Sequence, residues 1–86
     1  MSRREKLLAR WKNGVTDELK ESVLALLKHY GLEPSGPHNV IRDSRLADHP
    51  RFLGTLTVPV SRGQKVKGVY LRHIVEALEW MGVIDL

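Results

Sequence analysis

Pro34, Gly36 and Pro37 fall within four residues and forbid a continuous helix between Gly31 and His38. Everything helical in this chain must therefore lie before or after that break. Upstream, residues 4–12 read as a short helix with Leu7, Leu8 and Trp11 on one side, stopped by Asn13-Gly14. A second helix is expected from Thr16, a cap ahead of Asp17 and Glu18. Its apolar positions Leu19, Val23, Leu26, Leu27 and Tyr30 recur at helical spacing until Gly31 ends it. Residues 32–35 are either a short edge strand or the approach to a turn.

Beyond the break the period changes from helical to alternating. A strand is expected over 38–42, then a long polar hairpin loop from Asp43 to Pro50. A second strand over 54–60 turns Leu56, Val58 and Val60 one way and Thr55 and Thr57 the other. Pro59 places it at an edge or near its end. After a turn at Arg62-Gly63, residues 69–81 read as a final helix with Leu71, Ile74, Val75 and Leu78 inward and Gly82 as its stop. These patterns predict one α/β domain of the α+β kind: a small antiparallel sheet with helices packed on one face. Its core is expected to hold Leu19, Val23, Leu26, Leu27, Leu56, Val58, Leu71, Ile74 and Leu78, with Ile41 rather than Val40 beneath the helices.

A chain of 86 residues makes one modest core, so a single domain over 1–86 is expected, with 1–14 as a helical extension and 16–82 as its main body. No cysteine is present, which removes disulfides, thiolate nucleophiles and thiolate metal sites; stability must come from packing or from self-association. The longest apolar runs fall far short of a membrane span, and the N-terminal residues lead into no signal-like apolar stretch. Cytoplasmic residence without membrane contact is the expectation.

The net charge of +4 is unevenly placed. Residues 1–33 carry a net of +2 and residues 76–86 a net of −3. Residues 34–75 set Arg42, Arg45, Arg51, Arg62, Lys65, Lys67 and Arg72 against only Asp43 and Asp48, a net of +5. Concentration on that segment points to a phosphate-bearing partner such as RNA.

Several chemical motifs are tested and set aside. Residues 63–68 contain two lysines but lack the glycine-rich lysine-serine/threonine pattern of a phosphate-binding loop. His73 and Glu76 are three apart on a helix and can approach each other, yet a lone pair makes no zinc site. No dinucleotide fingerprint and no Ser/His/Asp set emerges, so neither cofactor nor metal is expected. His29 belongs near a helix C-terminus, and His49 sits in the polar loop beside Pro50; both read as structural or incidental. His38 differs, because Gly36 and Pro37 shape a turn that projects it from the sheet, where an imidazole can move protons on a bound polyanion.

The segments Gly36-Pro37-His38-Asn39-Val40-Ile41-Arg42, Thr57-Val58-Pro59-Val60, Gly63-Gln64-Lys65-Val66-Lys67 and Leu71-Arg72-His73-Ile74-Val75-Glu76-Ala77-Leu78, in that order with Gly82, resemble the HicA family. The resemblance spans roughly residues 17–82. It implies a double-stranded-RNA-binding-like fold, messenger-RNA cleavage by one histidine, which is His38 here, and a HicB-like antitoxin as protein partner. This chain departs from the family with Pro37 in place of a usual serine, Asn39 in place of a common second histidine, a loop from Asp43 to Gly54 that is long for the family, and Ser61 where a histidine often follows Val-Pro-Val.

The leading expectation is a metal-independent ribonuclease toxin. The ribose hydroxyl attacks its neighbouring phosphate, His38 transfers the proton as base or as acid, and Arg42, Lys65 and Lys67, then Arg62 and Arg72, hold phosphates. Three other readings stand beside it: a noncatalytic double-stranded-RNA-binding module, a DNA-binding winged helix, and a protein-interaction domain using an exposed strand edge.

Overall fold

The computed structural model describes residues 2–14 and 16–86. Among them the order is α1 (Arg3–Asn13), β1 (Glu18–Leu19), α2 (Lys20–His29), β2 (Val40–Arg42), a single 3-10 turn (Ser44–Leu46), β3 (Thr55–Thr57), β4 (Lys65–Val66) and α3 (Gly68–Trp80). The fold is α+β. Its strands form two antiparallel two-stranded ladders, β2 with β3 and β1 with β4, in place of one continuous sheet.

Helix α1 starts one residue earlier than its apolar spacing suggests because Ser2 and Glu5 make a reciprocal capping box. Gly14, in the left-handed region, closes it. Leu8 and Trp11, the latter only 1% exposed, pack in the same cluster as Leu71, Ile74 and Leu78 of α3. Lys12 reaches Glu79 of α3 at 3.3 Å, and Arg72 of α3 donates to the Gly14 carbonyl at 3.1 Å.

The second helix corrects the sequence reading. It begins at Lys20, and Thr16 does not cap it; residues Glu18 and Leu19 instead pair with Val66 and Lys65. In that two-residue ladder the inner pair is Glu18 and Val66. Alternation then turns Leu19 outward with Lys65, leaving it 52% exposed rather than in the core. A helical periodicity absorbed a strand too short to show a period of its own. The C-terminus of α2 is a Schellman motif: Gly31 has φ 81° and donates to Lys28, and Leu32 donates to Leu27 while burying its side chain. The same motif ends α3 through Gly82 and Val83.

Ile41 and Leu56 face each other across the β2–β3 ladder, and both are buried, as the alternation requires. The two strands are shorter than their apolar patterns suggest. On the far side of β2, Ser35 and Val40 exchange both backbone hydrogen bonds, a single bridge rather than a full strand.

The segment between β2 and β3 is not a solvated loop. Asp43 caps the 3-10 turn through the Arg45 amide and holds the Arg45 guanidinium in a two-pronged pair. Leu46 is fully buried. His49, 5% exposed, packs its ring 4.4 Å from Phe52 and 4.6 Å from Trp80. The Arg51 amide donates to His49 Nδ1 at 3.0 Å, which fixes the proton on Nε2, 3.0 Å from Glu76 Oε1. Glu76 therefore engages His49 and Arg51 rather than His73.

Candidate nucleic-acid interface

His38 stands at the apex of a tight turn, not in a strand. Ser35 and Val40 close a four-residue loop, within which the Asn39 amide donates to the Gly36 carbonyl at 3.2 Å. Pro37 and His38 are thus the two central residues of a β-turn. His38 is not among the residues of positive φ, so the turn is of type I, whose first central position favours proline. The amide at that position bonds to nothing within such a turn, so Pro37 breaks no turn hydrogen bond. Gly36 at φ 73° and Asn39 at φ 49° supply the left-handed corners on either side. The Asn39 side chain and backbone also clasp Val58, its Nδ2 donating to the Val58 carbonyl at 3.4 Å and its carbonyl accepting from the Val58 amide at 3.2 Å. This end of the hairpin is fixed on three sides while the His38 side chain is exposed.

The basic residues divide into groups. The Val58 amide donates to Asn39, which His38 directly precedes. Arg62 follows Val58 by four residues, at most about 14 Å along the chain. It occupies the first central position of a second type I turn, closed by Gln64 donating to Ser61 and by Ser61 donating to Lys65, with Gln64 at φ 57°. Lys65 lies on β4 and Lys67 precedes the first residue of α3; all three side chains are exposed. The His38 turn and the Arg62 turn emerge from the same end of the β2–β3 ladder.

Arg42 sits at the opposite end, paired with Thr55, exposed on the outer face. Arg72 is already engaged: its guanidinium covers Gly14 and joins α1 to α3. Its neighbour on the same helix, His73, lies instead against Phe52 and Tyr70. His29, the last residue of α2, is exposed and edge-on to Tyr30.

Asn39 is the positioning residue that sequence reading overlooked. Its signal was present: asparagine is enriched at left-handed corners, and one follows a Gly-Pro-His turn directly. Among the described residues no group of three His, Asp or Glu side chains is placed to hold a metal ion, and no helix is long and apolar enough to cross a membrane. Compared with family models, curated proteins and solved structures, the chain finds no match in any of the three.

Proposed function

We propose that this protein is an RNA-cleaving toxin of the HicA kind, acting through His38 without a metal. The observation that carries the reading is the exposed imidazole at the apex of a rigid turn, with the Arg62 turn emerging beside it. In this reading the RNA backbone lies across that end of the β2–β3 ladder. The ribose 2′-oxygen attacks phosphorus, the bond to the 5′-oxygen breaks, and His38 takes the hydroxyl proton or donates one to the leaving oxygen. The products are a 2′,3′-cyclic phosphate and a free 5′-hydroxyl. Arg62, Lys65 and Lys67 offset charge on the phosphates, Arg42 extends the track along the strand, and Arg72 has only part of its donor set left for such contacts. Cytoplasmic messenger RNA is the substrate, and a HicB-like antitoxin with an acidic face is the partner that shields His38.

His38→Ala tests the reading directly. Cleavage of a labelled single-stranded RNA should fall about a hundredfold or more. Thermal stability should stay within about 0.5 kcal/mol, because the side chain is exposed. Equal cleavage by the purified wild type and H38A refutes it, and binding without any cleavage favours the noncatalytic module. Replacing Lys65 and Lys67 together by glutamine should lower the slope of log affinity against log salt by about 1.4, at about 0.7 per phosphate contact on single-stranded RNA.

A further inference from the structure

On the side of β3 away from β2 lies a cleft of about 230 Å³ between that strand and α3. The strand wall is Thr55, Thr57 and Pro59, and the helix wall is Tyr70 and His73, with Arg51 at the margin.

The hydrogen-bonding phase of the ladder decides what β3 offers to this cleft. The Asp43 amide donates to Gly54, and the Val58 amide donates to Asn39. Between those two bonded pairs the alternation makes Ile41 and Leu56 the next bonded pair, so the main-chain groups of Thr55 and Thr57 point away from β2. The Thr55 N–H is spent on the Phe52 carbonyl at 3.0 Å, and Pro59 has no N–H. Thr57 is left as the single main-chain donor on this edge, with its own carbonyl beside it. Peptide addition needs a repeating row of donors and acceptors, which Pro59 interrupts. One adjacent N–H and C=O is instead the pattern that a nucleobase edge satisfies, since every base carries a donor next to an acceptor.

The helix wall supplies the complementary surface. The His73 ring is held edge-on to both Tyr70, centroids 6.0 Å apart, and Phe52, centroids 6.3 Å apart. Burial, reinforced by the nearby charges of Arg51 and Arg72 and opposed by Glu76, holds His73 below the ordinary histidine pKa. A neutral ring suits stacking on a base better than pairing with a phosphate.

We propose that this cleft takes one unpaired nucleobase of a bound RNA, paired by its edge to the Thr57 N–H and C=O and stacked against the His73 ring, with Tyr70 closing the side of the cleft. The proposal rests on RNA being the ligand, as above. His38 directly precedes Asn39, whose carbonyl accepts from the amide of Val58, the residue after Thr57. The cleft is therefore placed to read a base near the phosphate presented to His38.

The test is an amide-resolved NMR titration of the wild-type protein with each of the four 5′-mononucleotides, with ribose 5-phosphate as the base-free comparison. A saturable downfield shift of the Thr57 amide, together with movement of the His73 ring protons, is expected for at least one nucleotide and not for ribose 5-phosphate. His73→Ala should raise that nucleotide's Kd about tenfold. No nucleotide shift at Thr57 beyond that of ribose 5-phosphate overturns the proposal. So does a Thr57 response to a blocked Val-Thr-Val-Thr-Val peptide in the absence of any nucleotide response, which assigns the edge to strand addition. Base binding by a wild-type protein that cleaves no RNA would leave the cleft standing and remove only the nuclease reading. Cleavage with a silent Thr57 would do the reverse.

Discussion

Gly68→Ala tests whether α1 and α3 are held together at main-chain contact. A methyl placed on Gly68 would stand 2.4 Å from the Gly14 carbonyl oxygen and 3.0 Å from its carbon. Ordinary C···O contacts begin near about 3.3 Å, so the overlap is about 1 Å. The obstacle is backbone, and it cannot rotate aside as a side chain would. Gly14 is also committed, because it closes α1 in the left-handed region and accepts the Arg72 guanidinium. Relieving the clash means separating the two helices near Trp11, at an overpacking cost of about 1–3 kcal/mol. Against this, alanine favours a helix over glycine by at most about 1 kcal/mol, and by less at the first helical position. The net expectation is a loss of about 1–2 kcal/mol, a fall in Tm of roughly 5–15 °C for a domain of this size. Circular-dichroism melts of G68A beside Gly63→Ala make the assay. Gly63 has open space around it and no positive φ, so alanine there should be neutral or stabilise by up to about 1 kcal/mol. A G68A protein that melts at or above the wild type refutes the close approach of the two helices.

Two further outcomes concern the polar groups that close the core. Burial by itself would raise the Glu18 carboxyl, but hydrogen bonds from Trp11 and Arg10, with the Arg10 charge and the Leu19 amide, outweigh it and hold the pKa below the ordinary carboxylate value. The group therefore adds stability above the unfolded-state pKa and loses it as pH falls through the lower folded value; Glu18→Gln should flatten the acid limb of stability measured from pH 7 to pH 3, and an unchanged limb refutes the assignment. His49→Ala removes a ring packed on Phe52 and Trp80 and leaves the Arg51 amide without its acceptor, so urea unfolding should show a loss of about 2–4 kcal/mol with an unchanged m-value.

Local chemistry determined much of this protein from the sequence. The breakers Pro34, Gly36 and Pro37, the stops at Gly14, Gly31 and Gly82, and the period-2 run through Leu56 and Val58 act within a few residues, so the order of the three helices and the β2–β3 hairpin, the burial of Ile41 and the α+β class were legible, whereas the two-residue strands β1 and β4 were not. The turn at Gly36 and Pro37 was legible for the same reason, but the strand expected from His38 starts only at Val40, which leaves His38 inside the turn. What tertiary structure alone decided depends on residues far apart in the chain. Leu19 leaves the core because Lys65 lies opposite it, and His49 enters the core because Phe52, Glu76 and Trp80 close around it. Arg72 turns to Gly14, while its neighbour His73 joins Thr57 across a cleft. A side chain's own period can state which way it leans, but which partner meets it is set by long-range closure of the chain, and no short window contains both members of those pairs.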